Sequence, residues 1–299
     1  MRIRHPTSSV RSRAPSPGAR NILRPSPERF AIEFMPLALR LPLVLIGLLT
    51  SLSVFAAEFW LRPDRFSATP GATLAAEIVV LGDVSRIGIP AVDQARVTLA
   101  GASVPVGLDA WTDNQRPQRL SATVARPGWA VWSVDVRPSL ERLSTSELTS
   151  RLHLLYAPSM LREHVLRSSR SSEWRVSSYS TVKCIVTVGE PDSADRSWRD
   201  ASRAVWDLIP RAEAPVIRAG QSTGFSVFTG SIPAAGTVVA LRSITGEREL
   251  AAPTGTDGSV DFVVPASGLW LASASHVQLS ASDDSLLEVR SVSLVLEVK

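Results

Sequence analysis

A chain of 299 residues, 44% hydrophobic and 20% charged, has room for one or two domains and excludes collagen-like, coiled-coil and polytopic membrane architectures. Its single cysteine, Cys184, excludes an intramolecular disulfide framework and any cysteine-rich zinc module. The formal charge of +4 is unevenly spread: residues 1–56 carry eight arginines against two glutamates and the remainder is slightly acidic, so the basic character belongs to the leader.

Residues 1–34 are rich in Arg, Ser and Pro and have no periodic apolar face, which predicts a disordered basic extension. They lack interleaved aromatics, so no nucleic-acid partner is expected. Met35 opens a segment of ordinary signal-peptide length, which makes it the expected true start. Residues 35–56 read as that signal peptide: Arg40 precedes Leu41–Ala57 (LPLVLIGLLTSLSVFAA), seventeen residues without a charge, and Val54-Phe55-Ala56 supplies tolerated residues for cleavage. The stretch is shorter than the roughly 20 residues of a spanning helix and contains Pro42 and Gly47. A periplasmic or secreted protein is expected. The alternative is a chain anchored by an uncleaved leader, which is then its only membrane contact.

Beyond the leader the apolar pattern is mostly period two, the mark of half-buried strands. Glu58–Arg62, Thr73–Leu81, Ala95–Ala100 and Gly128–Arg137 read as strands, with Thr69-Pro70-Gly71 a turn and residues 101–127 loops around one short strand. Trp129 and Trp132, three apart, are expected on opposite faces. The period changes between Ser144 and Arg167. Leu148, Leu152 and Leu155 recur at helical spacing with Ser144 or Thr145 available as a cap, Pro158 interrupts, and Ser159–Arg167 can form a second helix. Trp174–Gly189 returns to strand alternation. Residues 190–203 are polar and make a boundary. About seven short strands at regular spacing follow, with Asp257-Gly258 a hairpin signal. The expected fold class is mainly β: two β-sandwich units, the first over residues 57–189 with a helical insertion near 144–167, the second immunoglobulin-like over residues 204–299.

Several segments resemble a NikM-like periplasmic family of unknown function. They are Ala57-Glu58-Phe59-Trp60-Leu61-Arg62-Pro63, the run Tyr179-Ser180-Thr181-Val182-Lys183 leading to Val188-Gly189, Asp257-Gly258, and Gly268-Leu269-Trp270-Leu271 followed by His276. The resemblance implies an exported two-part β protein, with some relatives linked to nickel or cobalt uptake and an envelope protein or metal-transport component as partner. The family's leading histidine is Ala57 here, which removes the ligand that a processed amino terminus would supply. His276 and Glu58 remain the candidate metal ligands, and Asp261 is a further carboxylate that a set including His276 can draw on.

Other constellations read as structural. His153 and His164, with Glu163, are kept from one helical face by Pro158 and are expected at the surface. Gly220-Gln221-Ser222-Thr223-Gly224 has nucleophile-elbow spacing, but the alternating Phe225-Ser226-Val227-Phe228 that follows predicts a strand where that elbow needs a helix. Cys184 is expected to be a buried small hydrophobe. Of eight tryptophans, Trp198 in the polar boundary is the one expected to be exposed, as part of a sugar-stacking platform if others join it. No catalytic set and no cofactor-binding motif is identified. The expectation is an exported non-enzymatic ligand- or partner-binding protein of the cell envelope; the alternative is a structural or adhesive β-sandwich scaffold.

Overall fold

A computed structural model describes residues 58–81, 91–108, 119–168, 173–200, 205–212 and 215–299. The basic extension and signal peptide expected over residues 1–56 lie outside these. In chain order the described strands are β1 (Glu58–Pro63), β2 (Ser67–Ala68), β3 (Ala72–Leu81), β4 (Val92–Leu99), β5 (Ala102–Val104), β6 (Gly107–Leu108), β7 (Arg119–Val124) and β8 (Gly128–Ser144). Helices α1 (Thr145–Leu154) and α2 (Ser159–Arg167) lead to β9 (Glu173–Val188). The short helix α3 (Ser197–Asp200) precedes β10 (Trp206–Pro210), β11 (Ser222–Thr229), β12 (Ile232–Pro233), β13 (Val238–Ser243), β14 (Glu249–Pro253), β15 (Ser259–Val263), β16 (Gly268–Ser280) and β17 (Asp283–Val298).

Alternation along the long strands dictates how these elements stack. In β8, Trp129 and Val131 enter one apolar cluster while Ala130, Trp132, Val134 and Val136 enter another. In β17, Leu294 and Leu296 join the first and Val295 the second. Such strands are buried on both faces, as their nearly unbroken apolar runs require. They form a nine-stranded central sheet in the order β14-β13-β16-β17-β9-β8-β4-β5, with β2 against β9. A second sheet, β1-β3-β7-β6, lies over one face, and a third, β10-β11-β12 with β15 on β11, lies over the opposite face.

The fold is therefore two sandwiches that share a central layer, the second of them immunoglobulin-like. The join is β17 beside β9 in parallel, Leu286 opposite Arg175 through Val295 opposite Cys184. Strands from either side of residues 190–203 meet in this one sheet. Within residues 101–127, where loops around one short strand are expected, the described residues hold three short strands, β5, β6 and β7. Edge strand β14 has no counterpart in the sequence reading, and β16 is one continuous strand of 13 residues where short strands are expected.

The helices form where period and capping agree. Ser144 caps α1: its Oγ accepts from the Glu147 amide while Glu147 accepts from the Ser144 amide, a reciprocal capping box. Leu148 and Leu152, one turn apart, bury against Trp174, Val176, Leu287 and Val289 with Val165 of α2. This third cluster covers the far ends of β9, β16 and β17.

Candidate functional site

The candidate metal ligands fall on different parts of the fold. His276 alternates with Ala272 and Ala274, whose side chains face the third sheet. Its ring is exposed, 5.3 Å from the Trp206 ring, and its Nε2 lies 3.2 Å from Gln278 Oε1. Glu58 opens β1 opposite Leu81, in the sheet that covers the other face. Asp261 is exposed on β15, with Oδ2 3.7 Å from Arg211. Among the described residues no group of three or more His, Cys, Asp or Glu side chains gathers where it can hold a metal ion.

His153 and His164 sit on separate helices and are exposed; Arg162 Nη1 is 3.1 Å from His153 Nδ1, and the His164 ring meets the Trp174 edge at 6.4 Å. Glu163 pairs with Arg167 at 3.0 Å. Ser222 begins strand β11 after the turn at Gly220, so no helix follows it. Cys184 is fully buried, and burial, with the Asp64 charge adding to it, pushes its thiol far above the ordinary range and keeps it inert.

Trp198 corrects the sequence reading. It is 1% exposed: α3 turns its ring into the cluster beneath the third sheet, and Arg199 lies 5.0 Å over it. The other six described tryptophans are buried too, so the indoles fill the cores and no stacking platform forms among the described residues.

Two features escaped the sequence. One is a cleft on the central-sheet face between β1 and the α1–α2 turn, about 690 Å³ including its open mouth. Its floor is Ser180, Ser273, Ser275, Ser291 and Ser293, at positions where the same strands carry valine and leucine beneath the covering elements. Ser180 and Ser291 Oγ atoms are 2.8 Å apart, and Ser293 Oγ donates to the Phe59 carbonyl at 2.6 Å. Tyr156, held at φ 53°, donates its hydroxyl to Glu249 at 2.7 Å, and Arg242 donates to the same carboxylate at 3.2 Å. Burial raises the Glu249 pKa, but these hydrogen bonds and the Arg242 charge outweigh it and hold the carboxyl below its ordinary value.

The other is a buried ion pair between the central and third sheets. Lys183 Nζ donates to Asp207 Oδ1 at 2.6 Å and to the Leu208 carbonyl at 3.1 Å, and Asp207 Oδ1 also accepts from the Leu208 amide at 2.8 Å. Both side chains are less than 5% exposed. Opposite Lys183 on β8 stands Ser133, 2% exposed, whose hydroxyl has no partner. A charged residue between apolar neighbours on each of two strands, with opposite signs, is the signal that would have found the pair.

No known family model matches this chain, and no curated protein aligns with it. Among solved structures it is similar to the D0-D1 domain of Intimin at 13% identity, covering 78% of this chain and 96% of that one with a TM-score of 0.22. Murine CEACAM1b gives 7% identity, coverage of 81% and 100%, and a TM-score of 0.20. BcpA, the major pilin subunit of Bacillus cereus, gives 8%, 80% and 70%, and 0.17. The overlap is slight, and the fold rests on the chain's own sheets: a mainly β protein of two fused sandwiches.

Proposed function

We propose that the chain is an exported structural or adhesive module of the cell envelope, binding a protein partner and catalysing no reaction. The observation that carries this reading is the central sheet. Its strands β8, β9 and β17, of 17, 16 and 16 residues, bury both faces where the two outer sheets cover them and bind the two sandwiches into one body. Such a layer resists hinge motion and suits a spacer or scaffold. No helix among the described residues is long and apolar enough to cross a membrane, and the uncharged run Leu41–Ala57 is the feature that would direct export.

Fractionation of cells expressing the full chain, followed by amino-terminal sequencing, tests the address. Recovery outside the cytoplasm with a mature end near Ala57 is expected; an intact Met1 in the cytosol overturns it. Affinity capture from envelope extracts is expected to return one stoichiometric protein. The nickel or cobalt role implied by the family resemblance would need ligands beyond His276 and Glu58, and calorimetric titration with either metal is expected to give no heat of site binding.

A further inference from the structure

We infer that Lys183 and Asp207 are the partners of an intramolecular amide bond that joins the central sheet to the third sheet. The inference stands on the geometry of this seam and does not require the envelope reading. Burying an ammonium and a carboxylate is costly, and mutual attraction repays it only with further hydrogen bonds. Here those bonds are placed asymmetrically. Asp207 Oδ1 takes both the lysine contact and the Leu208 amide, so one carboxyl oxygen is held as a carbonyl oxygen would be by a fixed backbone donor. The amine is in contact with that carboxyl group, in a water-poor seam lined by Trp206, Leu208 and Ile185.

The step balances without a co-reactant. Transfer of a proton from Nζ to the carboxylate leaves a free amine against a carboxylic acid. Nζ attacks Cγ and forms the C–N bond, the charge on Oδ1 is met by the Leu208 amide, and the C–Oδ2 bond breaks with Oδ2 leaving as water. The two hydrogens of that water come from the original ammonium, so no net proton is gained or lost. Both protons pass directly from the nitrogen to the carboxyl group that it touches. The product replaces two buried charges by a neutral amide and fixes β9 to β10 covalently.

The full chain, purified and denatured, is measured by intact mass against the amino terminus found by sequencing. A mass lower by one water is expected. Trypsin is then expected to leave residues 176–196 joined to residues 204–211, because the acylated Lys183 resists cleavage. The full uncondensed mass, or separate peptides cut after Lys183, overturns the inference. Lys183→Arg, which keeps the charge but cannot reproduce the bond, is expected to restore the uncondensed mass whether or not it folds.

Discussion

The two faces of the central sheet are covered by different physical means. Beneath β1, β3 and β7 the seam is apolar, with Leu61, Leu74 and Ile78 packed on Trp132, Val134 and Cys184. Beneath β10 and β11 the seam contains Lys183 and Asp207, each bonded to the other layer. Apolar burial is non-directional and tolerates small changes of register or shape as long as volume is kept. The Lys183–Asp207 contact tolerates neither: before condensation a displaced partner is a bare charge, and after it the amide holds the two strands at one register. The first seam supplies cohesion and the second also fixes position, which is what a covering sheet joined to its neighbour by a polar boundary segment needs.

That contrast is broken most directly at Lys183. Lys183→Met leaves Asp207 buried without its partner and is expected to cost about 3–5 kcal/mol in denaturant unfolding. Adding Asp207→Leu removes the stranded carboxylate and is expected to recover the part of that loss that the bare charge causes, but not the part due to the lost cross-link. In the apolar seam, Leu61→Met, a volume-conserving exchange at a fully buried position, is expected to cost less than about 1.5 kcal/mol. If the two single methionine variants fall equally far, the seams do not differ as described.

A smaller effect of opposite sign sharpens the same comparison. Thr223 on β11 is 4% exposed, and its hydroxyl has no partner. Thr223→Val removes a buried unsatisfied group without changing shape and is expected to raise stability by roughly 1 kcal/mol in the same unfolding measurement. A loss of stability there would mean the hydroxyl is satisfied in solution.

Much of this arrangement is written in short-range pattern. Period-two runs mark β3, β8 and β9, and Ser144 followed three residues on by Glu147 marks the start of α1. The parallel pairing of β9 with β17 is not legible, because it joins segments more than a hundred residues apart that carry no mutual signal. Strand β14 escaped because a half-exposed edge bounded by Glu249 and Pro253 has few apolar positions to alternate. Trp198 misled because a polar neighbourhood in sequence says nothing of the core that a four-residue helix can turn toward. The serine floor of the cleft emerged only once β9, β16 and β17 lay side by side. Lys183 was visible as a charge beside Cys184, but its partner lies on another layer.

The gentlest test concerns that cleft, where Tyr156 reaches across to Glu249. The folded carboxyl sits below its ordinary value, so its contribution is complete above the unfolded value of about 4.3 and is lost as pH falls through the lower folded value. Protonation then weakens the Tyr156 and Arg242 bonds while leaving the cores intact. The chain has only two tyrosines, Tyr156 and Tyr179, so carbon-labelled ring signals can be followed individually. The Tyr156 signal is expected to move only below pH 4.3 or so, and Glu249→Gln is expected to abolish that movement. Tyr179, which stacks under Arg290 with 5.1 Å from guanidinium to ring, serves as the internal control. A Tyr156 midpoint at or above the ordinary carboxylate value would show that burial outweighs the two hydrogen bonds, and that the bar across the cleft is looser than its 2.7 Å contact suggests.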